Sequence, residues 1–162
     1  MAKVYVSDTN IWIDFHHAAL LNELFRLPFS LCCTDFVAEE LDTPKLSPLV
    51  ELGLIVEPVE DNDIQQLFEL TQQHRNPSLA DMSCYFLAKK NDLPLLTGDS
   101  QLRRLAVNEH VEVRGALWLL DQMVEHAVIE ARRAAEALRA MLQKNARLPA
   151  EECRIRLERW EA

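Results

Sequence analysis

The sequence predicts an α/β fold: a three-layer α/β/α sandwich on a mostly parallel central sheet, followed by a C-terminal helical extension. Two observations carry this. Short apolar runs rich in β-branched residues alternate with segments of helical spacing, the order that produces parallel strands joined by right-handed crossovers. Twice, at Ser7-Asp8-Thr9-Asn10 and at Thr97-Gly98-Asp99-Ser100, such a run ends in a carboxylate where a helix begins. In an open parallel sheet that edge is where ligands bind.

Val4-Tyr5-Val6 reads as the first strand, and the spacing of Ile11, Phe15, Leu20, Leu21, Leu24 and Phe25 predicts a helix that ends at Pro28. Phe29 to Cys33 is a second, buried strand. Thr34-Asp35 offers an N-cap for a helix over Phe36 to Leu41. The proline-bracketed stretch Thr43 to Pro48 reads as a loop, Leu49 to Leu52 as a brief helix. Leu54 to Val59 is a strand, at an edge because of Pro58. Asp61-Asn62-Asp63 starts a helix carrying Ile64, Leu67, Phe68 and Thr71, which Asn76-Pro77 terminates. Ser78 caps the next helix, Leu79 to Lys90. Pro94 to Thr97 is a short strand, Gln101 to Val107 a helix, and Val111 to Val113 a last strand. From Ala116 on, Leu117, Leu120, Val124, Ala127, Ala131, Ala134, Leu138 and Met141 alternate steps of 3 and 4 with no glycine or proline between them. That predicts one long helix, or two nearly end to end, with an apolar seam for the sheet's own face or for a partner. Glu151 to Trp160 forms a final amphipathic helix after Pro149.

A chain of 162 residues suits a single globular unit. Its three glycines, Gly53, Gly98 and Gly115, exclude a GxGxxG dinucleotide loop and a Walker A loop. The spacing of Cys32, Cys33, Cys84 and Cys153 gives neither a zinc pattern nor a disulfide framework, so they read as small buried residues. No apolar run suits a membrane span and no signal-peptide pattern is present, which predicts a cytoplasmic protein. The net charge of −9 argues against a protein that simply grips phosphates. That charge is uneven: residues 1–114 carry 18 acidic and 9 basic side chains, residues 115–162 carry 8 of each.

Four acids stand out. Asp8 and Asp99 follow strands at their carboxyl ends, Glu40 lies in the helix after the second strand, and Asp81 in the first turn of the helix before the fourth. Four carboxylates at close quarters cannot all stay ionised without a cation, since like charges raise one another's pKa. Mg²⁺ or Mn²⁺, with oxygen ligands and retained waters, is the expected remedy. A carboxylate-held cation with open water positions suits phosphodiester hydrolysis. Spacing alone leaves blander readings beside this one. Asp8 and Asp99 suit helix caps, Ser78-x-x-Asp81 is also a capping box, and Glu39 and Glu40 suit a solvated helix face.

Val6-Ser7-Asp8-Thr9-Asn10, Val37-Ala38-Glu39-Glu40-Leu41, Leu79-Ala80-Asp81 and Leu95-Leu96-Thr97-Gly98-Asp99 occur in that order. Together they resemble the PIN-domain ribonucleases, the family that includes VapC-type toxins of bacterial toxin–antitoxin pairs, from about Lys3 to Val113. The resemblance implies a PIN-like nuclease domain over residues 1–115, with residues 116–162 a helical extension packed on that domain or forming an interface. It implies a metal-dependent endoribonuclease whose Mg²⁺ or Mn²⁺ is held by Asp8, Glu40, Asp81 and Asp99. Glu40 is preferred to Glu39 because it immediately precedes Leu41, as in the family pattern. Thr9, Asn10, Thr97 and Ser100 flank the acids as supporting candidates. Arg103 and Arg104, nearest in sequence to Asp99, are the first choice for contact with a substrate phosphate, and the other basic pairs read as solvated helix faces. The partners so implied are RNA, an antitoxin protein and a second copy of the chain, with no membrane.

Two features depart from the compact toxin pattern: the long helical tail and the acidic charge. The rival readings are a structure-specific DNA nuclease and a non-catalytic PIN-fold module that binds a partner through that tail. A receiver-like domain lacks its strand-end lysine here. His16 and His17 diverge on a helix and are poor joint ligands. Asp61-x-Asp63 lacks the rest of an EF-hand loop and suits a helix N-terminus. Asp14 is left with a supporting or partner-binding role, and Trp12 and Trp118 read as core.

Overall fold

The computed structural model describes residues 3–74 and 76–162. Five short strands, β1 (Val4–Ser7), β2 (Ser30–Thr34), β3 (Ile55–Glu57), β4 (Leu95–Leu96) and β5 (Val113–Arg114), form one sheet in the order β3-β2-β1-β4-β5. Every pairing is parallel, with Val6 opposite Cys32 on one side and Leu95 on the other. From β1 the chain steps outward to β2 and β3, then crosses back to lay β4 on the opposite flank of β1. The β1/β4 boundary is therefore the topological switch point, and a crevice opens outside the carboxyl ends of those two strands. β3, with Pro58 just beyond it, is an edge strand as expected.

Ten helices are described: α1 (Thr9–His17), α2 (Leu21–Leu24), α3 (Asp35–Glu40), α4 (Leu46–Leu52), α5 (Asp61–Gln73), α6 (Leu79–Asn91), α7 (Ser100–Asn108), α8 (Ala116–Glu125), α9 (Ala131–Gln143) and α10 (Ala150–Glu161). Side chains alternate between the two faces of a strand, and this sorts the helices into layers. On one face Tyr5 meets Trp118 of α8, ring centroids 5.1 Å apart, and Phe29 at 4.7 Å. Thr34, out of phase with Tyr5's partner Leu31, meets Ser83 of α6 on the other face. Around α6 pack α3, α5 and α7; with α8 go α1, α2 and α9. The α/β/α sandwich predicted from the alternation is the architecture observed.

The last three helices join the same buried cluster as the sheet: Leu119, Leu120, Ala134, Leu138, Met141, Cys153 and Trp160 are buried together with Val6, Leu31 and Leu95. α9 lies against α1, where the Arg133 guanidinium donates to the Ala18 carbonyl at 2.7 Å. Trp12 is fully buried and stacks on Phe25 at 5.8 Å, the core role expected of it. All four cysteines are buried and free. Burial pushes Cys32 and Cys33 up to about 12, so these thiols are inert. Among the described residues no helix is long and apolar enough to cross a membrane.

The strands after β1 are shorter than or offset from the sequence-based expectation, the last being Val113–Arg114 rather than Val111 to Val113. Three helical stretches have bounds that the spacing did not fix. The helix predicted through Phe25 is two, because Ala19 is left-handed (φ 57°) and ends α1. The seam from Ala116 is two helices, the second of the two forms expected, with α8 and α9 divided at Ala127 (φ 56°). In both turns a 6→1 bond (Leu20 to Phe15, Val128 to Met123) encloses a 5→2 bond (Ala19 to His16, Ala127 to Val124), the Schellman closure. Thirdly, α4 starts at Leu46 and takes Pro48 into its first turn, where the missing N–H has no helical acceptor to lose.

Candidate functional site

Asp8 and Asp99 cap helices, and Asp81 lies in the first turn behind a cap. Asp8 follows β1 and caps α1, its Oδ1 accepting from the Ile11 N–H at 3.2 Å. Asp99 follows β4 and caps α7, its Oδ1 accepting from the Leu102 N–H at 2.8 Å. Ser78 caps α6, its Oγ accepting from the Asp81 N–H at 3.0 Å. The capping readings are thus true. They also leave the site reading intact, because a cap occupies one carboxylate oxygen and leaves the other to face elsewhere.

For Asp8 that second oxygen meets Thr97. The Thr97 hydroxyl donates to Asp8 Oδ2, while its oxygen accepts from the Asp99 N–H at 3.1 Å. One fully buried side chain therefore ties the end of β1 to the start of α7. Across the crevice, the Thr9 hydroxyl donates to Glu40 Oε2 at 2.8 Å and holds the end of α3 against α1. Thr9, Asn10, Glu40, Thr43, Ser78 and Asp81 line a cleft of about 460 Å³.

The electrostatics join the four. Asp8 is wholly buried, and burial pushes its carboxyl up to about 7; the charges of Asp81 and Asp14 add to the rise, while the Thr97 and Ile11 bonds oppose it. Asp81 is raised by burial, then by the charges of Glu40 and Asp99. Asp81 is therefore the common neighbour, within electrostatic reach of all three others. Of the Glu39-Glu40 pair, Glu40 accepts from Thr9 and lines the cleft.

Of the flanking candidates, Thr9 and Thr97 bond to the acids and Asn10 lines the cleft. Ser100 is exposed and makes no hydrogen bond to the acids among the described residues. Arg103 donates from Nη1 to the Thr97 carbonyl at 3.2 Å, so its guanidinium is anchored beside the β4 corner; Arg104 is exposed. His16 and His17 lie toward the far end of α1 from Asp8, and Asp63, in the first turn of α5, pairs with Lys90.

Asp14, for which a supporting role was expected, and two polar pairs also contribute. Asp14, pushed up to about 6 by burial, is near enough to raise Asp8. Asp42 and Thr43 line the cleft just past Glu40-Leu41, a polar pair whose position after the acid was a readable signal. The buried hydroxyls of Thr34 and Ser83 meet between α3 and α6, and no local pattern announces that contact.

The donors are uniformly hard oxygens: four carboxylates, the Thr9 and Thr97 hydroxyls and the Asn10 amide. That set suits a hard divalent cation and not a thiolate- or imidazole-seeking metal. Among the described residues no three of the carboxylates are placed to share one ion. The fit is therefore that of an ion held by one or two carboxylates with water completing its shell.

The DUF3368 family model, a PIN domain, matches residues 4–162. The chain belongs to the PIN-domain family, whose members are generally nucleases that use divalent metal ions. Its fold is similar to that of a PilT N-terminus domain protein from the hyperthermophilic archaeon Sulfolobus solfataricus P2. The TM-score is 0.51 at 14% identity, covering 76% of this chain and 95% of that one. No curated protein matches.

Proposed function

We propose that the protein is a divalent-metal-dependent endoribonuclease. The observation that carries this reading is that one Thr97 hydroxyl ties Asp8 to the Asp99 corner at the β1/β4 switch point, beside the cleft that Glu40 and Asp81 line. Acids brought to one sheet edge repel one another, and the arrangement makes physical sense where a cation is to be held. Of Asp8, Glu40, Asp81 and Asp99, one or two would hold Mg²⁺ or Mn²⁺ directly and the others through its waters. When bound, such an ion neutralises charge on the scissile phosphate and lowers the pKa of a water.

The chain's own residues do the rest. Thr97 orients Asp8, and Thr9 orients Glu40, so the two acids need little rearrangement when charge arrives. Burial of Asp8 excludes bulk water from the inner edge of the site. Arg103 and Arg104, on α7 just past Asp99, supply cations for substrate phosphates that the acidic surface otherwise repels. The sequence likeness to VapC-type toxins supports the role of a toxin in a toxin–antitoxin pair. It would act in the cytoplasm, pair with a second copy, and be silenced by an antitoxin protein.

The direct test is to incubate the purified protein with single-stranded RNA, structured RNA and DNA, with and without Mn²⁺. RNA cleavage that needs the ion and is lost in Asp8→Asn and Asp99→Asn is the expected outcome. Cleavage that persists in both variants rejects the reading, and cleavage of DNA alone favours the DNA nuclease. Expression of the gene alone is expected to slow growth, with relief from the neighbouring reading frame.

A further inference from the structure

Two buried hydroxyls outside the acid site join the helices that carry Glu40 and Asp81. Thr34 ends β2 and caps α3; Ser83 lies one turn into α6. Both are 0% exposed. Their oxygens are 2.6 Å apart, Ser83 Oγ lies 2.6 Å from the Ala80 carbonyl, and the Val37 N–H donates to Thr34 Oγ1 at 3.2 Å. Each hydroxyl has one proton to give. The Ala80 carbonyl can only accept, so Ser83 gives its proton there, and Thr34 must give its own to Ser83. The result is a directed chain: Val37 N–H to Thr34 O–H to Ser83 O–H to Ala80 C=O.

The ends of this chain lie next to the acids. Val37 stands one helical turn before Glu40, and Ala80 immediately precedes Asp81. Apolar contact between α3 and α6 is non-directional and tolerates sliding, whereas hydrogen bonds lose strength steeply with distance and angle. A wholly buried chain with no water to substitute for a lost partner holds the two first turns in one register.

We infer that the Thr34–Ser83 hydroxyl pair is a positioning device that sets the separation of Glu40 and Asp81 across the cleft. The inference rests on the metal reading proposed above. Neither hydroxyl touches the substrate or the ion; both act through the helices that present the two acids. A chain of this kind acts as a unit, so losing either link releases the register as fully as losing both.

Calorimetric titration of Mn²⁺ into the full-length protein, far below its melting temperature, tests this without reference to activity. Thr34→Val and Ser83→Ala are expected to weaken Mn²⁺ binding about 10-fold each, as loss of a ligand's outer support does elsewhere. The double variant is expected to bind no more weakly than the worse single one. Thr34→Ser keeps the hydroxyl and is expected to restore affinity to within about twofold of the parent. Ser83→Ala removes one oxygen and carries the test if Thr34→Val does not fold. The inference is overturned if both single variants bind as the parent does, or if Thr34→Ser is as weak as Thr34→Val. Asp8→Asn separates the two levels. Undiminished Mn²⁺ binding by that variant overturns the metal reading and the inference with it. Weakened binding there beside unchanged Thr34→Val and Ser83→Ala overturns the inference alone.

Discussion

Asp8 is an acid withheld from water and set beside other acids, and both conditions favour its protonated form. Its carboxyl titrates near 7 in the folded chain against 3.8 as its ordinary value. The folded state thus keeps a proton that the unfolded chain releases, and stability from this group is fully present below the ordinary value. It is lost as pH rises through about 7. Asp14, raised to about 6, contributes in the same direction. The metal-free protein is therefore expected to lose stability from about pH 4 to pH 8, by at most about 4 kcal/mol from Asp8, of which about 2.5 kcal/mol falls between pH 5 and pH 8. Asp8→Asn, uncharged at every pH, should flatten that slope and be the more stable protein at pH 8. Urea unfolding of both proteins at pH 5, 6.5 and 8 measures it. Equal slopes would mean that Asp8 is already ionised in the folded state. The same substitution should abolish cleavage, so gain of stability and loss of function would coincide at one residue.

At the scale of elements, the helical tail is fastened by a small number of directional contacts over an apolar seam. Arg156 of α10 donates from Nε and Nη2 to both oxygens of Asp121 on α8, at 2.7–3.2 Å, with side-chain exposures of 15% and 26%. A forked pair this shielded lies between surface and buried ion pairs in worth. Arg156→Ala is expected to destabilise the chain by about 1–2 kcal/mol, and to speed amide exchange in α10 before α9. Exchange that rises evenly over the whole chain would show that α10 does not open by itself. The same elements show what the sequence reveals and what it hides. Strands and helix starts were legible because their signals are local: Ser78, Thr34, Asp8 and Asp99 all cap where their chemistry suggests. Helix ends were less so. Among the described residues, six helices close on a residue of positive φ, and only Gly53 is the glycine that usually marks one; Ala19, Asp92, His110, Ala127 and Asn145 serve elsewhere. Ala19 and Ala127 are helix formers by propensity, and the burial of Leu20 and Leu24 beyond the first turn outweighs that preference. The candidate site divides in the same way. Asp8 and Asp99 were readable as acids at strand ends, whereas Thr34 and Ser83, 49 residues apart, meet only through the packing of α6 on the sheet.

For the whole molecule, the question is what the net charge of −9 is for. Much of the acid is ordinary surface: Glu109, Glu112, Glu151 and Glu161 each pair with an exposed Lys or Arg. The cluster around Asp81 differs: Asp8 is wholly buried and raised by burial, with the charge of Asp81 adding to it, and the half-buried Asp81 is raised by burial and then by the charges of Glu40 and Asp99. A divalent cation bound there would stabilise the fold by mass action, by about 2.7 kcal/mol at a concentration 100 times its dissociation constant. For a chain of this size that corresponds to a rise in melting temperature of roughly 5–10 °C. Proton and cation compete for Asp8, so the rise should be larger at pH 8 than at pH 5.5, opposite in sign to the pH trend of the metal-free protein. Diffuse screening of the surface acids behaves differently: it scales with ionic strength and does not distinguish one acid from another. Melting curves in Mn²⁺ and in NaCl of matched ionic strength, for the parent and for Asp81→Asn, separate the two. A rise specific to Mn²⁺ that disappears with Asp81 assigns the cluster to cation binding. Equal rises in both salts would assign the acidic excess to solvation of the surface.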